Sequence, residues 1–313
     1  MSTQAPAMDA PIRSARQLAR TRRKASLARS WRLFRHDRTG MIGLGILAVL
    51  VFMALAAPLL ASSKGLNVTL ANGPLDAGPS ASYALGTDAD GRSVLTLLIH
   101  GARISLLVGI TATFLSVALG ALVGITAGHF VGVGRFGKVI DNVLMRVTDW
   151  FLVIPFLPLA IALAIALGPS ITVIIFVIGV TSWPATARIV RAQALAVESR
   201  PYLERSRALG ARHWHQMTKH VLPNVMPLLL ANTILTVSDA ILSESTLSFL
   251  GLGDPNQQSW GEMLNRVFET TGGSAGNIAW LLAPGIAIVL VVLAFTMVGH
   301  AIESVLSPKL RER

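Results

Sequence analysis

The sequence predicts an all-α integral membrane protein with six transmembrane helices and both termini in the cytoplasm. Of its 313 residues, 52% are hydrophobic and 14% are charged, and the mean hydropathy is +0.60. Soluble domains carry about 25% charged residues, so the composition excludes an ordinary soluble protein. Several uncharged stretches are long enough to cross the ~30 Å hydrocarbon core of a bilayer as helices.

We expect the six spans near residues 41–62, 104–129, 150–168, 171–189, 222–243 and 279–302. The third and fourth come from one uncharged run, which Gly168-Pro169-Ser170 interrupts. Proline and glycine end helices, so a tight hairpin is expected there. The chain then divides into a basic tail at 1–40, a first helix at 41–62, an outer segment at 63–103, a five-helix core at 104–303 with a cytoplasmic loop at 190–222, and a second tail at 304–313.

The basic residues predict the orientation. With the N-terminus inside, 23 of the 27 Lys and Arg residues lie on the cytoplasmic side, and four lie outside, namely Lys64, Arg92, Arg103 and Arg266. Basic residues concentrate in the cytoplasmic segments of membrane proteins. We therefore attribute the net charge of +11 to topology and to the anionic headgroups of the lipid bilayer, and expect no nucleic acid partner.

The sequence predicts no catalytic residue and no metal site. Cysteine is absent, which excludes disulfides and thiolate ligands. The stretch from Gly132 to Lys138 has the spacing of a phosphate-binding loop, but Val139 stands where a Mg²⁺-binding hydroxyl is needed. We therefore expect the chain to bind no nucleotide or other cofactor itself.

Two features lie inside the predicted spans. Gly120, Gly124 and Gly128 form overlapping G-x-x-x-G spacings, which favour close helix packing. Asp239 and Glu244 lie five residues apart in the fifth span, on different helix faces, where an ionised carboxylate costs about 2.5–3.5 kcal/mol. For Asp239 we expect a wet cavity or a buried pair. For Glu244 two interpretations stand: it lines a translocation path with Asp239, or it lies near the outer helix end and meets water.

A charged segment separates the fourth and fifth spans. From Glu204 to Pro223 it has the spacing of the EAA signature of ABC-importer permeases, E-A-A-x3-G-x9-I-x-L-P. Arg205 and Ser206 replace the two alanines, and His220 replaces the isoleucine.

The flanking sequence also resembles one branch of these permeases, the dipeptide/oligopeptide/nickel branch. The stretches from Leu85 to Val94 and from Gly101 to Leu106 are similar to its entry into the second span. The stretch from Leu247 to Gly253, followed by Ser259-Trp-Gly261, is similar to its fifth-span exit. Over about residues 30–311 the chain resembles the second, C-type permease subunit.

This resemblance implies a type I ABC importer permease fold and a loop that docks an ATPase through a short coupling helix. Pro201 suits the first turn of that helix and Gly210 its C-terminal stop. Glu204 would hold the loop or contact the ATPase. The docking positions implied are Glu204, Arg205, Ser206, Arg207, Ala208, Leu209, Gly210 and Pro223.

The resemblance further implies a peptide importer in the bacterial inner membrane. Its expected partners are a second homologous permease, two ABC ATPases that bind ATP and Mg²⁺, and an extracytoplasmic substrate-binding protein. A nickel or other small-solute importer of the same family is the first alternative. An ion-coupled secondary transporter, which would use Asp239 and Glu244, is the second, although the sequence shows none of the inverted repeats typical of that class.

Overall fold

The computed structural model describes residue 25, residues 28–273 and residues 276–306, without the side chain of Leu306. The predicted tails therefore lie largely outside the described residues. In the described part the chain is helical, with an isolated bridge between Thr87 and Ser93 and no strand. The main helices are α1 (Arg38–Leu55), α2 (Val94–Phe130), α3 (Gly134–Val153), α4 (Phe156–Leu167), α5 (Ile171–Glu198), α6 (Pro201–Ala208), α7 (Leu222–Phe249), α8 (Trp260–Thr271) and α9 (Ile278–Leu306).

Five helices are long and apolar enough to cross a membrane: α1, α2, α5, α7 with the turn before it, and α9. Four of them, α2, α5, α7 and α9, contain the spans predicted at 104–129, 171–189, 222–243 and 279–302. Helix α1 covers the span predicted at 41–62 only as far as Leu55. Helix α2 begins at Val94, where Ser93 caps it by accepting a hydrogen bond from the Thr96 amide at 3.4 Å. The helix therefore begins ten residues before residue 104, the predicted start of the second span. Helix α5 runs to Glu198, so the loop between α5 and α7 covers residues 199–221.

The predicted span at 150–168 is not one continuous helix. Helices α3 and α4 meet there at a bend of 91°. Pro155 has no amide hydrogen and holds the preceding residue out of the helical region, and Ile154 is accordingly extended, with ψ 124°. Helix α4 has 12 residues, about 18 Å at 1.5 Å per residue, which is too short to span alone. The predicted break at Gly168 is present, with φ +87°.

Among the described helices, α2 and α5 pack against each other most extensively. The three glycines of α2 lie against α5, as the G-x-x-x-G spacing predicts. A Cβ atom on Gly120 would lie 2.7 Å from Thr186 Cβ, one on Gly124 2.5 Å from the Ala187 carbonyl oxygen, and one on Gly128 2.7 Å from Ala194 Cβ. The predicted packing role of these glycines is confirmed.

The outer segment covers one end of the bundle and is fixed there by polar contacts. Asn277 donates through Nδ2 to the carbonyl oxygen of Leu85 at 2.8 Å, and the Asn277 amide donates to Asp76 at 3.1 Å. Below it, α8 packs over α2, with Trp260 fully buried and its Nε1 donating to the Leu98 carbonyl at 3.0 Å. The opposite end of the bundle carries the α5–α7 loop.

Candidate functional site

The α5–α7 loop, residues 199–221, carries the predicted coupling helix. Helix α6 begins with Pro201 at its first position. It ends at a Schellman turn in which Gly210 has φ +82° and the Ala211 amide donates to the Ser206 carbonyl at 3.1 Å. A left-handed residue at this position favours glycine. The predicted helix between Pro201 and Gly210 is therefore present, with the turn at the expected glycine.

A buried leucine anchors α6 to the bundle. Leu203 is fully buried in a cluster that includes Val197, Val221 and Val225. Burying a leucine side chain contributes about 1.5–3 kcal/mol. The hydrophobic contact thus ties the short helix to the end of α5 and to the start of α7.

Most of the predicted docking positions are exposed. Ser206 is half-buried, and the others are exposed, namely Glu204, Arg205, Arg207, Ala208, Leu209, Gly210 and Pro223. Leu209 is 88% exposed and Trp214, further along the loop, 70%. Glu204 makes no hydrogen bond or ion pair with any residue that the structure describes. Whether Glu204 holds the loop or contacts the ATPase therefore stays a prediction.

A polar network lies directly behind α6. Nδ1 of the fully buried His129 donates to Oε1 of Glu198 at 2.6 Å. The other oxygen of Glu198 accepts a hydrogen bond from Nη2 of Arg207. Nε2 of His129 lies 2.9 Å from Nδ1 of His213, and Nε of Arg207 donates to Gln216 at 3.2 Å. The network joins the ends of α2 and α5 to both halves of the loop.

Sequence reasoning missed Glu198 and His129. The glycines of α2 could have revealed them. Gly128 packs against Ala194. His129 follows Gly128, and Glu198 lies one helical turn after Ala194, so the two residues come close together. A histidine and a glutamate at these two helix ends form a hydrogen-bonded pair. Among the loop histidines, His213 contacts His129, and His215 stacks edge-on against His220.

Asp239 lies on an open cavity of about 520 Å³ among α2, α5 and α7, which polar and apolar residues line together. Four of its residues form one stripe of α7, at positions i, i+4, i+7 and i+11: Asn232, Thr236, Asp239 and Ser243. The facing helices add hydroxyl groups from Thr113, Ser116, Thr181, Ser182 and Thr186. The Asp239 carboxylate has no hydrogen bond or ion pair with a described residue. Of the two expectations for Asp239, the structure agrees with the cavity.

Glu244 is 2% exposed and lies outside that cavity, on a small pocket that Ser248 and Ser259 also line. Its role in a translocation path stays a prediction. Its carboxylate accepts hydrogen bonds from Ser105 Oγ at 3.0 Å and Ser248 Oγ at 2.9 Å. Ser105 Oγ in turn accepts from the Trp260 amide at 3.2 Å. The serine hydroxyls provide hydrogen bonds to the buried carboxyl group of Glu244 and connect α2, α7 and α8.

The motif from Leu85 to Val94 forms a buried ion pair at the outer end. Asp88 accepts a hydrogen bond from Arg92 Nε at 2.8 Å, and both residues are almost completely buried. Arg92 also lies 3.1 Å from Asp90. On α8, burial raises the pKa of Glu262, and the neighbouring Arg266 opposes that shift. These charges stabilise the outer segment at a distance from the α5–α7 loop.

Comparisons with known proteins agree with this architecture. The family model described as the binding-protein-dependent transport system inner membrane component matches residues 120–312. The model of the N-terminal transmembrane domain of oligopeptide transport permease C matches residues 26–74. A chain of the MetNI methionine ABC transporter, solved in inward-facing conformations, has the same fold, with a TM-score of 0.54 at 19% identity over 67% of this chain and 96% of that chain.

Two curated relatives are similar over nearly the whole length. A putative peptide transport system permease protein of Brucella abortus is 37% identical over 90% of both chains. The dipeptide transport system permease protein DppC of Bacillus subtilis is 36% identical over 90% of this chain and 85% of its own length. The helices and these matches together make the protein a multi-pass component of the inner membrane. The chain belongs to the family of binding-protein-dependent transport system inner membrane components.

Proposed function

We propose that this chain is a permease subunit of an ATP-driven, binding-protein-dependent importer of dipeptides or oligopeptides. It forms half of the translocation path and docks an ATPase through the α5–α7 loop. The peptide substrate is proposed from the relatives, which are named as peptide and dipeptide permeases. The complete importer contains a second homologous permease, two ATPases that bind ATP and Mg²⁺, and an extracytoplasmic binding protein.

The observation that carries the docking proposal is the ion pair between Glu198 and Arg207. Arg207 belongs to the exposed helix α6, whereas Glu198 ends the membrane helix α5 and also accepts from His129 of α2. A force on α6 is therefore passed to two membrane helices through charged hydrogen bonds, which are among the stronger contacts in proteins. A loop that serves only as a linker requires no such connection.

Coupling follows from this connection. When the ATPases close on ATP, the two docking loops of the importer move together. The movement biases the membrane helices between inward- and outward-facing arrangements, a two-state change driven by differential ligand binding. The exposed Leu209 and Trp214 supply apolar contact area for the ATPase surface.

The path itself is proposed at the cavity that contains Asp239. Its polar stripe on α7 faces an open side of the chain, and polar residues in a membrane bundle face water, a partner or a substrate pathway. The second permease would close this side. Each chain then contributes one wall of a wet path.

Reconstitution tests the proposal. Proteoliposomes containing this chain alone are expected to show neither ATP hydrolysis nor peptide uptake. Vesicles with the second permease, both ATPases and the binding protein are expected to import peptide only with ATP and Mg²⁺. Uptake by the single chain under an ion gradient would instead establish a secondary transporter. ATP-dependent uptake of nickel without peptide uptake would establish a small-solute importer.

A further inference from the structure

The cavity at Asp239 has an unusual electrostatic composition. Among its described lining residues, Asp239 is the one ionisable side chain, and the rest are apolar residues, alcohols and the amide of Asn232. No described cation compensates the carboxylate. Since an ionised group at this depth is costly, an uncompensated carboxylate at this position indicates a positively charged binding partner.

The cavity walls offer further hydrogen-bonding groups. Thr113 Oγ1 and Ser116 Oγ are buried and have no hydrogen-bond partner among the described residues. Both line the cavity that contains Asp239. An unmade hydrogen bond of a buried hydroxyl costs about 1–3 kcal/mol. The volume of about 520 Å³ lies in the usual range of small-molecule sites.

The donor set selects an ammonium group rather than a metal ion. Calcium and magnesium take six or more oxygen ligands, commonly including more than one carboxylate, and nickel favours imidazole nitrogen. The described lining provides one carboxylate and no histidine. One carboxylate beside hydroxyl groups suits a monovalent –NH₃⁺ group, which donates three hydrogen bonds.

We propose that Asp239 binds the α-ammonium group of the transported peptide while the peptide passes through this cavity. The inference rests on the proposed function, because it takes a peptide as the substrate. An α-ammonium group is common to all peptides with a free N-terminus, whatever their side chains. Recognition at this group therefore permits many sequences, and the hydroxyl groups contact the peptide backbone without selecting a side chain.

The test uses a reporter cysteine at Ala185, an exposed small residue of the cavity wall. The chain has no cysteine of its own, so label on this subunit reports that position alone. In the complex of both permeases and both ATPases, the alkylation rate of Ala185→Cys by a neutral maleimide is measured with increasing trialanine or N-acetyl-trialanine. The measurement is repeated with Asp239→Asn and Asp239→Glu.

We expect trialanine to protect the reporter at about ten-fold lower concentration than its acetylated form, the effect of losing one charge-assisted hydrogen bond. Asp239→Asn should remove this difference, and Asp239→Glu should restore part of it. The matched control Asp149→Asn, which neutralises an exposed carboxylate outside this cavity, should keep it.

Three results would overturn the proposal: no protection by trialanine, equal protection by both peptides with Asp239 present, or an equal loss for both peptides in Asp239→Asn. The last would assign Asp239 to a contact with the second permease. The proposed function is measured separately, as ATP-dependent uptake by the complete importer with wild-type Asp239. Uptake without ammonium recognition would refute this inference alone, whereas no ATP-dependent peptide uptake would refute both.

Discussion

Nδ1 of His129, near the end of α2, lies 2.6 Å from Oε1 of Glu198, at the end of α5. The same carboxylate pairs with Arg207 of α6 through its second oxygen. One glutamate thus connects two membrane helices to the exposed loop between α5 and α7.

Glu198→Gln should weaken the connection while keeping the shape of the side chain. The amide cannot replace the charge that Arg207 meets, and a hydrogen bond to a charged group contributes about 1.5–3 kcal/mol. We expect peptide uptake by the reconstituted importer to fall about ten-fold or more, with near-normal amounts of protein in the membrane. The matched control is Asp149→Asn, which breaks the exposed pair with Arg188 and should have little effect. Equal uptake in both variants would remove Glu198 from the coupling route.

Cysteine labelling tests the topology, because the chain has no native cysteine. Ser80 and Ser199 are both exposed and lie at opposite ends of the bundle. The predicted orientation places 23 of the 27 basic residues on the cytoplasmic side, so Ser80→Cys should react with an impermeant maleimide in intact cells. Ser199→Cys should react only after permeabilisation. The reverse labelling pattern would invert the orientation.

Gly124→Ala should destabilise the pair formed by α2 and α5. The added Cβ would lie 2.5 Å from the Ala187 carbonyl oxygen, so the helices must separate. Overpacking of this kind costs about 1–3 kcal/mol. Gly45→Ala, on α1, meets no atom within 4 Å and serves as the control. Thermal unfolding in detergent should show a lower midpoint for Gly124→Ala alone, and unchanged midpoints in both variants would refute the packing argument.

Sequence patterns predicted those parts of the fold that follow from composition and local chemistry. Apolar length located five long helices, and the glycine spacing located the contact between α2 and α5. The bend at Pro155 was missed because the uncharged run continues through it, although the proline itself was a sufficient local signal. Helix ends such as Glu198 were missed because charge marks the limit of an apolar run and not the end of a helix.

The parts of the candidate site that depend on local backbone conformation could be predicted from the sequence. Contacts between residues far apart in the chain could not. Gly210 was found because a helix stop requires a left-handed residue. Asp239 and Glu244 looked alike in sequence, yet one lies on the open cavity and the other is buried by serines of α2 and α7. Ser105 is 139 positions from Glu244, and no local pattern predicts such a contact.

Substitutions at Gly210 and Glu204 test whether the α5–α7 loop docks an ATPase or only connects two helices. No atom lies within 4 Å of a Cβ atom built on Gly210, so a side chain there meets no clash and only the left-handed backbone is strained. That strain costs about 1–2 kcal/mol for most residues and is smaller for asparagine. Gly210→Val should therefore distort the turn and lower uptake sharply, whereas Gly210→Asn should retain most of it.

Glu204→Lys reverses an exposed charge without an intramolecular partner among the described residues, so a loss of uptake requires a contact outside this chain. Amounts in the membrane should stay near normal in all three variants. Wild-type uptake by Gly210→Val and Glu204→Lys, with all partners present, would show that the loop only connects α5 to α7.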